Sequence, residues 1–319
     1  MLKIALLDDY VNVAPRVVDW HQLGAVSVKV VNTSLMEDVA ARTEALRPFD
    51  IIVAMRERTP LTADMIQDLD QLKLIVTTGM RNNSIDGVAA RKAGVDLCGT
   101  QMIPYAAFEH AWALLMALAK QIPAEHMAMR DGGWQQHTGI GLNGRTLGIL
   151  GLGKLGSQMA RAAAAFNMSV IAWSPNLTAE RAEAQGARLV SKEALFETSD
   201  FLSIHLVLSD TTRNLIDAAA FARMKPSAYL INTSRGPIVN EAALIDALKA
   251  GQIKGAGLDV YDQEPLPVDH PLSTAPNVVL TGHTGYVIEE MHKTAYGQAL
   301  ENIFAWQEGA PIRVLNADA

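Results

Sequence analysis

Short apolar runs punctuate the first hundred residues: Leu2–Leu7, the valine-rich Val26–Val31, Asp50–Ala54 and Leu72–Thr77. Between them apolar positions recur every three or four residues, the spacing of a helix that buries one face. Strands alternating with helices predict parallel βα units, because parallel neighbours need a crossover and a helix supplies it. Tyr105–Lys120 is dense in Ala, Leu and Met and predicts a longer helix, with Pro104 at its start, where a missing N–H is tolerated. A loop holding Gly132, Gly133, Gly139, Gly141 and Gly144 follows. The alternation then resumes through Thr146–Leu150, Ser169–Trp173, Phe201–His205, Ala228–Asn232, Gly257–Val260 and Val278–Thr281, and helical spacing returns over Glu289–Glu308. The pattern predicts two α/β units, the second the larger.

Length agrees with that division, since 319 residues at roughly 150 per domain make about two domains, each able to bury a core without disulfides or metal. Against 27 basic residues stand 34 acidic ones, a formal net charge of -7, so the summed field repels polyanions and nucleic acid is not an expected partner. Cys98 is the only cysteine, which excludes an internal disulfide and a multi-cysteine zinc site; no metal is expected. Asp8 and Asp9 end the first apolar run and no small-residue cleavage site follows it. The apolar stretch Ile103–Ala119 carries Glu109 and His110 and is short for a bilayer. A cytoplasmic protein without a membrane segment is the expectation.

Gly151-Leu152-Gly153-Lys154-Leu155-Gly156 directly follows the strand Thr146–Leu150 and precedes the helical stretch Ser157–Phe166. A dinucleotide site needs this context: Gly151 for the tight turn, Gly153 for backbone approach to the pyrophosphate, Gly156 for close packing of helix on strand, and free N–H groups of the helix start for the anion. The bland alternative is an ordinary βα turn. Gly148–Lys154 also begins like a phosphate-loop ATPase motif, but Leu155 stands where that motif needs Ser or Thr for magnesium. Where an acidic residue usually accepts the ribose 2′-hydroxyl of NAD, this chain has Ser174, which neither repels nor attracts a 2′-phosphate strongly. Use of both NAD and NADP is expected, with Arg181, the nearest cation, read as a solvated helix charge.

Three more segments end predicted parallel strands, where open α/β sheets bind ligands: Asn232-Thr233-Ser234-Arg235-Gly236, Leu258-Asp259-Val260-Tyr261 with Glu264-Pro265 beyond it, and Thr281-Gly282-His283-Thr284-Gly285. Alone, Arg235, Glu264 and His283 each have a structural explanation. Together they offer a guanidinium for a carboxylate, an imidazole for proton transfer and a carboxylate to orient that imidazole.

On these segments, in this order and spacing, the sequence resembles the D-isomer-specific 2-hydroxyacid dehydrogenases over nearly its whole length. The resemblance implies two Rossmann-like, doubly wound parallel-sheet domains, the smaller one discontinuous: 1–100 with 285–319 for substrate, 101–284 for NAD(P). It implies that Arg235 binds the substrate carboxylate and keto oxygen, that His283 is the acid in reduction, that Glu264 favours the protonated histidine, and that Asp259 contacts the nicotinamide carboxamide. Gly151, Gly153, Lys154, Leu155, Gly156, Ser174, His205, Thr233 and Gly285 fall to the cofactor, with Val207 beside His205 in its cleft. Thr78, Gly79, Met80 and Arg81 begin a loop whose backbone N–H groups would hold the substrate carboxylate. Arg81, Pro237 and Asn240 depart from the family's commoner residues, as Ser174 does, and Trp134 is read as an interface residue. Homodimers through the nucleotide domain are implied.

The resulting expectation is an NAD(P)-dependent enzyme interconverting a small 2-oxo acid and its D-2-hydroxy acid, of the glyoxylate or hydroxypyruvate type. Formate oxidation is disfavoured because the resembling formate enzymes have glutamine at the Glu264 position. A chain ending at Ala319 also speaks against the longer phosphoglycerate dehydrogenases. The rival from another class is a nucleotide-sensing binding protein like the C-terminal binding protein corepressors, which keep the same fold and the same three residues.

Overall fold

Strands β1 (Leu2–Leu7), β2 (Val26–Val31), β3 (Ile51–Ala54), β4 (Leu74–Thr77) and β5 (Asp96–Gly99) form one parallel sheet in the order β2-β1-β3-β4-β5. The computed structural model describes residues 1–36 and 38–317, and its chain divides into two units, Met1–Ile103 with Val287–Ala319, and Pro104–Tyr286. In the first unit β3 and β4 are buried along their whole length, which is why they read as continuous apolar runs, whereas the edge strand β2 alternates. The helix Glu289–Gln307 belongs to this unit, tied to β5 by Asn302 Nδ2 donating to Gly99 O (2.9 Å).

The second unit holds seven parallel strands, β6 (Thr146–Leu150), β7 (Ser169–Trp173), β8 (Arg188–Leu189), β9 (Phe201–Ile204), β10 (Tyr229–Asn232), β11 (Gly255–Leu258) and β12 (Val278–Leu280). Their order is β12-β11-β10-β9-β6-β7-β8. The direction of progression reverses between β6 and β9, and such a switch point opens a crevice at the strands' carboxyl ends. Alternate residues feed two cores on the two faces: Leu147, Ile149, Phe201 and Ile231 on one, with Leu114, Leu115 and Leu118 from the helix Ala106–Ala119, and Leu150, Leu202, Ile204 and Leu230 on the other.

Some elements differ from the sequence expectation. β5 and the two-residue β8 were not legible as apolar runs; β5 contains Asp96 and Gly99, poor strand formers, and is held from outside by Gly99 N–H donating to Arg313 O and Leu315 N–H donating to Leu97 O. β11 starts at Gly255, two residues early, its glycines accommodating the side chain of Leu114 packed over Gly257. The long helix stops at Ala119, turns through Gln121 (φ +53°) and restarts as Ile122–Arg130. Among the described residues no helix is long and apolar enough to cross a membrane, and no group of three or more His, Cys, Asp or Glu is arranged to hold a metal ion.

Candidate active site

The glycine turn after β6 has the geometry its spacing predicts. Gly151 has φ +106°, and a Cβ there would lie 2.6 Å from His205 O, so the strand-end loops after β6 and β9 approach as only glycine allows. A Cβ on Gly156 would strike Gly151 O, whereas one on Gly153 would meet open space. The helix Lys154–Ala165 starts here with no side chain capping it, Lys154 exposed and Leu155 half-buried. Its first-turn N–H groups point from a positive dipole end that suits a phosphate.

Two buried polar atoms at the same edge of the sheet have no hydrogen-bond partner: His205 Nδ1 after β9 and Thr233 Oγ1 after β10. His205 Nε2 pairs with Ser203 Oγ at 2.8 Å, and burial pushes the imidazole down to about 4, so the ring is neutral at pH 7. Uncompensated buried polar atoms are costly in a folded chain and ask for a ligand. Open space over Gly153, an uncapped helix start and two orphaned atoms on neighbouring strands fit a dinucleotide. Ser174 follows β7, and Arg181 reaches back toward it: Nη1 donates to Asn176 O at 3.1 Å. Arg181 is thus an exposed helix charge, as expected, with its guanidinium hydrogen-bonded to this loop.

His283 sits after β12 with φ +54°, and its Nδ1 lies 2.5 Å from Glu264 Oε2. Glu264 is itself anchored, its Oε1 accepting from Tyr261 N–H (3.0 Å). Burial raises the Tyr261 phenol above its usual range, so it stays a hydroxyl and donates to Thr281 O (2.8 Å). Arg235 follows β10 in a turn closed by Asn232, whose Nδ2 donates to Arg235 O (3.0 Å) and whose Oδ1 accepts from Ser234 N–H (3.0 Å). Nη1 of Arg235 donates to Ser234 O (2.7 Å). Next in the chain, Gly236 packs so closely on Tyr261 that a Cβ would lie 2.1 Å from its carbonyl carbon. The arginine turn and the Glu264 loop are thus in backbone contact, and the three ionisable residues belong to one edge of the sheet.

Asp259 has a structural part beside the cofactor contact implied by resemblance. Its side chain is 1% exposed, and both oxygens are engaged by the chain: Oδ1 accepts from Thr281 Oγ1 (2.5 Å) and Thr284 N–H (2.8 Å), Oδ2 from Gly285 N–H (2.8 Å). Burial opposes its ionisation, but hydrogen bonds from His110 and Thr281 outweigh it and hold the carboxyl below its usual range. It acts as the clamp of the loop that carries His283, and Gly285 N–H is committed to it.

In the other unit, the loop after β4 is held from inside. Thr78 N–H donates to Ala54 O (3.0 Å) and Gly79 N–H to Thr100 Oγ1 (3.0 Å), so these two donors are not left for a ligand. This corrects the expectation for Thr78 and Gly79; among the described residues the N–H groups of Met80 and Arg81, both exposed, have no partner. Arg56, absent from the sequence expectation, lies at the end of β3 and donates from Nη1 to Thr78 O (3.3 Å).

Comparison with known proteins assigns the ancestry of this arrangement. Residues 112–285 match the family described as D-isomer specific 2-hydroxyacid dehydrogenase, NAD binding domain. A glyoxylate reductase of Korarchaeum cryptofilum is 33% identical over 283 residues, 86% of this chain and 85% of that protein. The chain belongs to the D-isomer specific 2-hydroxyacid dehydrogenase family. A D-3-phosphoglycerate dehydrogenase of Synechocystis is 38% identical over 286 residues, 89% of this chain but 51% of that protein; the chain spans about half the length of such relatives. The crystal structure of a phosphoglycerate oxidoreductase from Vibrio cholerae o395 superposes with a TM-score of 0.90 at 36% identity, covering 97% of this chain and 100% of that one. As a family member the chain carries an NAD-binding domain, and its fingerprint, strand order and orphaned polar atoms lie together at one edge of it.

Proposed function

We propose that this protein is an NAD(P)-dependent reductase of small 2-oxo acids, working reversibly as a D-2-hydroxyacid dehydrogenase of the glyoxylate or hydroxypyruvate type. The observation that carries the reading is the His283–Glu264 pair, 2.5 Å apart, on a loop set beside the Arg235 turn. With Nδ1 directed at Glu264, the histidine has Nε2 left to hold a proton for the substrate oxygen, and the carboxylate fixes the orientation of the ring. Arg235 binds the substrate carboxylate and stabilises negative charge as it gathers on the carbonyl oxygen. A reduced nicotinamide, when bound, supplies the hydride. Gly153 and the helix start at Lys154 would take its pyrophosphate, while His205 Nδ1 and Thr233 Oγ1 would gain the partners they lack. Met80 and Arg81 are the proposed N–H donors of the substrate loop. Arg56 and Arg81 add cationic charge to that loop, which favours acids over neutral carbonyl compounds.

Steady-state assays of a panel of 2-oxo acids with NADH and NADPH test the reading. Turnover of glyoxylate or hydroxypyruvate is expected. Nucleotide binding without turnover of any acid would instead support the rival, a nucleotide-sensing binding protein.

Both cofactors should serve. Ser174 removes the repulsion that normally excludes a 2′-phosphate, and Arg181, folded back on Asn176 O, adds attraction at the same loop. The two values of kcat/KM are expected within about two decades of each other, since neutral hydrogen bonds differ by about 1 to 2 kcal/mol. Ser174→Asp should shift preference toward NADH, and a parent preference for NADH beyond about a thousandfold would refute the assignment.

A further inference from the structure

We propose that His110 is a positioning residue: its Nε2–H fixes the Asp259–Thr281 pair and, through that pair, the backbone that carries His283. The inference rests on the reading of His283 as the proton donor. His110 projects from the helix Ala106–Ala119, its Nε2 2.8 Å from Thr281 Oγ1 and 3.3 Å from Asp259 Oδ1.

The donor inventory assigns the proton. Thr281 has one hydroxyl hydrogen, and its oxygen lies 2.5 Å from Asp259 Oδ1, which as a carboxylate oxygen only accepts. That hydrogen is therefore committed to Asp259. The contact between the ring and the hydroxyl is a hydrogen bond only if Nε2 of His110 donates. One imidazole N–H thus bridges both members of the pair, from a helix outside the loops that hold the reacting groups.

The pair in turn governs His283. Asp259 O accepts from His283 N–H (2.8 Å), and the Asp259 carboxylate holds the next two amides, Thr284 and Gly285. His283 sits at φ +54°, which a residue with a side chain adopts at a cost and keeps only when its surroundings dictate it. Tyr261 closes the ring of contacts, its hydroxyl on Thr281 O and its N–H on Glu264 Oε1. Losing the His110 donor leaves Asp259 its other partners, so the fold persists while the 281–285 segment gains freedom. A misplacement of about 1 Å in a proton donor can cost up to about a hundredfold in rate, whereas binding of the acid by Arg235 need not change.

The test uses two amides of different reach. The Gln side-chain nitrogen can occupy the place of Nε2, whereas the Asn nitrogen corresponds to Nδ1 and falls short of Thr281. His110→Leu and His110→Asn are expected to lower kcat about tenfold with KM for the oxo acid and nucleotide within threefold of the parent; His110→Gln is expected to recover kcat to within threefold. Hydrogen exchange of the Thr284 and Gly285 amides, measured without substrate, should quicken in the Leu and Asn proteins and match the parent in the Gln protein. Parent-like kcat in both short variants, or a Gln protein as impaired as they are, overturns the proposal. If the leucine protein does not fold, the Asn and Gln pair decides alone. A parent enzyme that turns over no acid overturns the reaction and with it the catalytic sense of this role, and the exchange data then report separately whether His110 holds the loop.

Discussion

Two histidines of the larger unit meet opposite environments, and each makes a measurable forecast. His283 faces the Glu264 carboxylate at 2.5 Å. Glu264→Gln keeps the shape and removes the carboxylate that holds His283 Nδ1, so kcat for reduction should fall about tenfold or more. Steady-state kinetics of both proteins decide this; an unchanged kcat in a folded variant excludes Glu264 as the partner. His205 has no such charge, and burial pushes it from 6.5 down to about 4. In the unfolded chain it takes up a proton near pH 6.5, in the folded chain only near 4, so unfolding is favoured by acid within that window. Stability should therefore fall as pH drops from about 6.5 to 4, by up to about 1.4 kcal/mol per pH unit from this group. Urea unfolding between pH 4.5 and 7 should show a shallower dependence for His205→Gln, and equal slopes would mean that the ring is protonated in the folded protein.

Elements rather than single side chains explain what the sequence made legible. The glycine turn could be read because strand, turn and helix adjoin along the chain, and Gly151 and Gly156 record close approaches within a few residues or to the neighbouring strand end. Arg235, Glu264 and His283 were visible as charges at strand ends, and the parallel sheet does the rest by aligning carboxyl ends. β5 escaped because its support comes from Arg313 and Leu315, more than two hundred residues on. His110 was hidden for the same reason: Thr281 is 171 residues downstream, and local spacing carries no trace of that contact. Asp259 was legible as a site residue, but its task as the loop clamp emerged only with its donors in place. Asp259→Ala would leave the Thr284 and Gly285 amides without their acceptor, at about 1 to 3 kcal/mol for each buried group. We expect a loss of roughly 3 kcal/mol in urea unfolding together with loss of turnover, and a smaller loss for Asp259→Asn, which keeps one accepting oxygen. Unchanged stability in the alanine protein would show that water replaces the carboxylate and that the clamp is unnecessary.

At the scale of the whole molecule, the proposed homodimer has a physical footing in one stretch of the NAD-binding unit. The helix Ile122–Arg130 buries none of its residues. Ile122, Met127 and Met129 are 54%, 55% and 50% exposed, and Trp134, just beyond, is 73% exposed. Single exposed apolar side chains are ordinary, but Ile122 and Met129, seven residues apart and so on one face of this helix, make a candidate surface for the proposed pairing. A second copy is the economical partner, because two-fold pairing places the same patch on both sides and most soluble oligomers are built that way. Light scattering behind size exclusion should give the mass of two chains at micromolar concentration. Carboxylates introduced on both sides of such a patch would face each other with like charge, and their desolvation adds to that repulsion. The double variant Ile122→Glu, Met129→Glu, which charges one face of the helix, should therefore run with the mass of one chain while its circular dichroism stays that of the parent. A parent that is itself a single chain removes the dimer altogether, and a double variant that still pairs moves the interface away from this helix.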